Sequence, residues 1–144
     1  MNPKPKIYEL LYVSTMAPTS PISAVASIAA TSRAWNAAHD ITGVLIFDGI
    51  QFCQQLEGRQ QEVIALFESI SRDVRHTAVT LVYHGALPDR RFMNFSLAFT
   101  DVEDTEVLGR IRALHGEPGL AAFEELLLTL DIEGERSRCS RQKP

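Results

Sequence analysis

Apolar and polar residues alternate along much of the chain, in short runs separated by turn-forming residues. Residues 6–14, KIYELLYVS, set Ile7, Glu9, Leu11 and Val13 against Tyr8, Leu10, Tyr12 and Ser14. Both sets are largely apolar, which predicts a central strand covered on both faces. After the loop TMAPTSP, Ser20 stands as an N-cap and Pro21 at the first helical position, predicting a helix to about residue 38. Val25, Ile28, Ala29, Ser32 and Asn36 fall on one face of it by three- and four-residue steps, with Trp35 on the flank. Residues 41–47, ITGVLIF, and 51–57, QFCQQLE, read as strands paired through a hairpin, because Asp48 and Gly49 both tolerate positive φ. Residues 59–72 form a second amphipathic helix that turns Val63, Leu66, Phe67 and Ile70 inward. Residues 77–85 predict a fourth strand and residues 92–99 a fifth, on which Met93, Phe95, Leu97 and Phe99 share a face.

The resulting order, βαββαββ, predicts an α+β sandwich of the ferredoxin-like type, with two helices on one face of a mostly antiparallel sheet. Residues 103–131 add two helical segments broken near 115–119. Leu120, Leu126, Leu127, Leu128 and Leu130 on the second need a surface to cover, and the open sheet face supplies one. The chain thus divides into a sandwich over 1–102, a C-terminal helical cap over 103–131 and a flexible polar tail over 132–144.

Composition narrows the function classes. A chain of 144 residues, 45% apolar and 22% charged, is long enough to bury a core without disulfides or structural metal. A net charge of −4 gives no basis for binding a nucleic-acid backbone directly. No apolar run approaches the roughly 20 residues of a membrane helix, and the N-terminus lacks a signal-peptide pattern. Cys53 and Cys139 have no CxxC partner, which fits reduced thiols and a cytoplasmic location. The histidines and cysteines do not cluster at metal-ligand spacing, so no metal is expected.

Three polar side chains sit where core residues are expected: Tyr12 on the first strand, Asn36 on the first helix and Gln54 on the third strand. Alternation puts Phe52, Gln54 and Leu56 on one buried face and sends Cys53 and Gln55 to the other. A buried amide without partners costs about 1–3 kcal/mol. Any one of the three is readily satisfied within an ordinary core. Together, on elements that pack face to face, they favour a shared flat ligand with a hydrogen-bonding edge, of which an isoalloxazine is an example. No Gly-rich phosphate loop of the Rossmann or Walker type is present, so phosphates would meet isolated basic or helix-end groups.

The segments LLYVS, NAAHDITGVLIF, FCQQLEG, DVRH and RRFMNFSLAF, in this order and spacing, resemble the BLUF domain, a blue-light sensor that uses FAD. The resemblance covers roughly residues 6–100, and the helices after residue 103 resemble the cap of short, stand-alone members, with no effector domain recognisable. It implies that Tyr12 hydrogen-bonds a glutamine and donates an electron and a proton to the excited flavin. Gln54 would be that glutamine, set between Tyr12 and the flavin N5/O4 edge. Asn36 would hold the ring's carbonyl and N3 edge, Ile28 and Ser32 would belong to the cofactor site, and Arg75 and His76 would lie near the ribityl chain and phosphates. Many members carry a tryptophan and then a methionine on the fifth strand, where this chain has Phe95 and Leu97. Phenylalanine donates no hydrogen bond and leucine lacks the polarizable thioether, which places signal relay through these positions in question.

The resemblance implies a non-enzymatic photoreceptor whose Tyr–Gln–flavin network rearranges in light and whose output is a protein partner or a changed homo-oligomer, with neither nucleic acid nor membrane involved. The alternative is a light-insensitive ferredoxin-like interaction module that keeps the fold, with or without the flavin. An acyl-phosphate hydrolase would want an arginine in the loop after the first strand, and STMAPTSP has none.

Overall fold

The computed structural model describes residues 6–92 and 97–130. Its elements are β1 (Ile7–Met16), α1 (Ala24–Ala38), β2 (Thr42–Phe47), β3 (Gln51–Gly58), α2 (Gln60–Arg72), β4 (His76–Leu87), β5 (Ala98–Asp101), α3 (Val107–Leu114) and α4 (Gly116–Thr129). The strands form one sheet in the order β4-β1-β3-β2-β5. All neighbours are antiparallel except β2 and β5. This is the expected α+β, ferredoxin-like arrangement.

The three inner strands are buried on both faces, so their side chains divide between two cores. On one face Leu10, Tyr12 and Leu56 meet Val63, Leu66 and Ile70 of α2, while Leu45, Phe47 and Phe52 meet Val25, Ile28 and Ala29 of α1. On the other, Leu11, Val13, Val44, Ile46 and Val82 meet Leu108 and Ile111 of α3 and Phe123 and Leu126 of α4. Apolar area leaving water on both sides is what holds the sheet between the layers. β2 and β3 approach very closely at Gly43: a Cβ there would lie 1.9 Å from the Gln55 carbonyl oxygen. No larger residue fits without parting the strands.

Several boundaries differ from the sequence expectation. α1 starts at Ala24 with Ser23 at its cap, not at Ser20. The preceding chain is spent in successive tight turns, Ser20 N–H to Ala17 O and Ala24 N–H to Pro21 O, both 2.9 Å. In the β2–β3 hairpin only Gly49 takes positive φ, +99°. Asp48 instead accepts the Ile50 and Gln51 N–H groups on Oδ1, at 2.9 and 2.6 Å, and so organises the turn with its side chain. β5 begins at Ala98 rather than at Phe92. The Phe92 N–H is withdrawn from strand pairing by the Glu57 carboxylate, at 2.8 Å. Met93 and Phe95 lie outside the described residues. In the cap, Leu128 is 88% exposed and Phe123 takes the core position the leucine run suggested. The break falls at His115 and Gly116, both at positive φ, and Pro118 sits in the first turn of α4, where its missing N–H costs nothing.

β4 is an outer strand whose register against β1 shifts twice, between Leu11 and Tyr12 and between Val13 and Thr15. Each shift sets two β4 residues against one of β1, and the second includes Ala78 at φ +48°. These bulges bracket Tyr12 and add local twist to the sheet beside it.

Candidate functional site

Tyr12 of β1 and Gln54 of β3 are directly opposed across the ladder. Both are buried, and the Tyr12 hydroxyl donates a hydrogen bond to Gln54 Oε1. Burial pushes the Tyr12 phenol far above its usual range, and the neighbouring Cys53 and Asp73 push it the same way. Tyr12 therefore remains a neutral donor, which fixes the oxygen of the Gln54 amide toward it. The other half of that amide, Nε2, is buried and has no hydrogen-bond partner among the described residues. The pair is satisfied at its shared bond and left with one unmet donor, Gln54 Nε2.

A cleft between α1, α2 and the end of the sheet has Tyr12 in its wall, with Ile28, Ser32 and Trp35 from α1, Leu66 and Ile70 from α2, and Asp73, Arg75 and His76 at the start of β4. Of the residues singled out from the sequence, Tyr12, Ile28, Ser32, Arg75 and His76 thus share one cleft. Gln54 is joined to it through Tyr12. Asn36 is fully buried near the end of α1, where its main-chain oxygen accepts the Ile41 N–H at 2.9 Å and ties the helix to β2. Leu97 is buried against Ile28, Leu45 and Phe52, and its carbonyl accepts from Arg33 Nε at 3.3 Å. Phe95 is outside the described residues. Trp35 is partly exposed and stacks on His39, with centroids 4.0 Å apart and planes 16° from parallel.

Two residues of the site escaped the sequence reading. Asp73 chelates Arg75: its carboxylate takes the guanidinium at 2.7 Å and the Arg75 N–H at 2.9 Å. That bond holds the Asp73 carboxyl below its usual range. The Asp-x-Arg spacing was the available signal, since a carboxylate commonly bonds the backbone two residues on. Ser14 hydrogen-bonds His76 Nδ1 at 2.9 Å. It lies two residues beyond Tyr12, hence on the same face of β1.

His76 is nearly enclosed, with Phe52 and Tyr12 ring centroids 5.0 and 6.4 Å away. Desolvation lowers its pKa, Asp73 opposes that, and Arg75 adds to it. The unfolded chain, with an ordinary histidine near pH 6.5, then binds the proton first. Stability contributed by neutral His76 is complete above that range and is lost as pH falls toward the lowered folded value. Melting temperature should therefore drop as pH falls below about 6.5, and His76→Gln should flatten that part of the curve. An unchanged curve in the variant would show that His76 is not its source.

The BLUF family model, described as sensors of blue light using FAD, matches residues 7–98. The chain belongs to the BLUF family. Among curated relatives, the blue light- and temperature-regulated antirepressor BluF of Escherichia coli (strain K12) is 28% identical over 93 residues, 65% of this chain and 23% of the relative. The photoactivated adenylate cyclase subunit beta of Euglena gracilis is 37% identical over 83 residues, 56% of this chain and 9% of the relative. The chain thus spans less than a quarter of either curated relative. Among solved structures, the dark state of BlrB, a BLUF protein, superimposes with a TM-score of 0.71 at 25% identity, covering 85% of this chain and 95% of BlrB.

FAD is the cofactor by which BLUF domains sense blue light. The residues present fit it. The unmet Gln54 Nε2 offers a donor to an acceptor-bearing ring edge, Ile28 offers an apolar wall, and Arg75, paired with Asp73, lines the cleft.

Proposed function

We propose that the protein is a blue-light sensor in which Gln54 is the switch and Tyr12 holds it in its resting orientation. Bound FAD supplies the light absorption and, once excited, a one-electron oxidant. The chain's own contribution is the Tyr12–Gln54 pair. Tyr12 keeps a proton on its hydroxyl against Gln54 Oε1. If Gln54 turns or tautomerises, donor and acceptor exchange places along its amide, and the group it presents away from Tyr12 changes sign as a hydrogen-bonding partner. Asn36, Ile28 and Ser32 hold the ring, and Arg75 and His76 serve the ribityl and phosphate end. Residues 1–102 form the sensing unit and 103–131 the cap that passes on its state. The output is a protein partner or a changed homo-oligomer rather than catalysis by this chain, in the cytoplasm and without direct contact to nucleic acid.

The observation that carries this reading is the half-satisfied Gln54 amide: one end held by a neutral phenol, the other buried and unmet. Buried amide donors are ordinarily paired, so an unmet one beside Tyr12 calls for a partner. Phe95 and Leu97 favour a second reading, a module that keeps fold and flavin but does not respond to light. An absorption spectrum of the purified protein separates the two. The sensor is yellow and its band moves several nanometres to the red in blue light, returning in the dark. A yellow protein whose band stays fixed would establish the second reading.

A further inference from the structure

The face of β3 opposite Gln54 carries a second buried polar assembly. Glu9 and Glu57, directly opposed on β1 and β3, are almost wholly enclosed, and Gln55 lies between them. Gln55 Nε2 donates to Glu57 Oε1 at 2.9 Å and to Glu9 Oε1 at 3.2 Å. Arg91 spans Glu9 with its Nε and Nη2 groups, at 3.0 and 3.2 Å. The Arg91 and Phe92 N–H groups donate to the two oxygens of Glu57, at 2.9 and 2.8 Å. The remaining arm of Arg91, Nη1, meets Glu124 of α4 at 2.9 Å. Among the described residues this is the one ion pair that reaches the cap.

The placement gives these contacts a direction. Gln55 is the next residue to Gln54, so a change in β3 that follows a turn of Gln54 is felt by Gln55 without intermediaries. Gln55 shares Glu9 and Glu57 with Arg91, so the polar assembly beside Gln54 converges on Arg91. Apolar contacts between the cap and the sheet have no angular preference, whereas a guanidinium shared between two carboxylates has a defined geometry. Burial pulls the Arg91 pKa down, but its bonds to Glu9 and Glu124 outweigh this, so the guanidinium stays charged. The enclosed Glu9 end is rigid, while the Glu124 end is half exposed and can be exchanged for water.

We propose that Gln55, Glu9, Glu57 and Arg91 couple the state of Gln54 to the seating of α4, with Arg91 as the positioning residue and its pair with Glu124 as the joint that opens or closes. This rests on the photosensor reading above, and its test keeps the two apart. Amide exchange of residues 116–129 is measured in the dark and under blue light on the FAD-loaded protein, alongside the spectrum. In the native chain, light changes exchange across α4. Glu124→Gln, a change at a half-exposed position, keeps the full red shift but shrinks the light–dark exchange ratio about fivefold toward unity. Glu125→Gln, the neighbouring carboxylate, leaves both signals intact. A Glu124→Gln protein that retains the full exchange difference would overturn the coupling. So would a native protein that shifts its band while α4 stays unchanged, and there the photosensor reading survives. A native band that does not move removes both.

Discussion

Replacing Gln54 by leucine should leave a folded, yellow protein whose absorption band no longer moves in blue light. Leucine approximates the volume of glutamine but has neither amide half. In the FAD-free chain the unmet Nε2 disappears with it, so the change relieves one buried polar cost while leaving the Tyr12 hydroxyl without its acceptor, at about 1–3 kcal/mol. The two terms oppose each other, and the expected stability change is within about 1 kcal/mol. The spectral effect has no such compensation. Every group able to exchange donor for acceptor next to Tyr12 has been removed, so the red shift should be lost entirely rather than reduced. Absorption spectra before and after illumination, with a thermal melt as control, test this. A normal shift in the variant would mean that Gln54 is not the switch.

Glu57→Ala should be strongly destabilising. The buried Glu57 carboxylate accepts from Thr42 Oγ1 at 2.7 Å, from Gln55 Nε2 at 2.9 Å and from the Arg91 and Phe92 N–H groups at 2.9 and 2.8 Å. Alanine removes all four acceptor contacts at once. Gln55 Nε2 still has Glu9, at 3.2 Å, but the bond from Arg90 Nη1 to Thr42 Oγ1, at 3.0 Å, is one that Thr42 accepts, so the loss falls on the Thr42 hydroxyl and the two main-chain donors. A total of about 3–5 kcal/mol follows from unmet costs of roughly 1–3 kcal/mol per group, a large share of the stability of a domain this size. Glu57→Gln keeps the shape and removes the like-charge opposition to Glu9, so it should cost less than alanine. Urea unfolding with an unchanged slope gives the comparison directly. An alanine variant within 1 kcal/mol of the native chain would show that the segment relaxes freely.

Much of this was readable in the one-dimensional pattern, and the failures share a cause. Period-two alternation placed Tyr12 and Gln54 among the core positions, and the family resemblance paired them, as the regular β1–β3 ladder does. The same reasoning passed over Gln55 by sending it to the opposite face, without registering that this face is equally buried and that Glu9 and Glu57 meet there. A strand enclosed on both sides has no lesser face. The start of β5 was misplaced because the apolar run beginning at Phe92 resembles a strand, whereas the Phe92 N–H answers to a carboxylate on another strand. The start of α1 was misplaced because Ser20 and Pro21 suit a helix start and a tight turn equally well. In each case a local signal was correct in kind, and a contact distant in sequence decided how it was used.

The two register shifts in β4 also bear on how the protein behaves at high concentration. A straight outer strand of this length would present an uninterrupted row of main-chain donors and acceptors to any other chain, a ready template for fibrillar growth. Two interruptions, one with a non-glycine residue at positive φ, break that row into pieces too short and too twisted to extend. Strand addition along the β4 edge of the five-stranded sheet is therefore disfavoured.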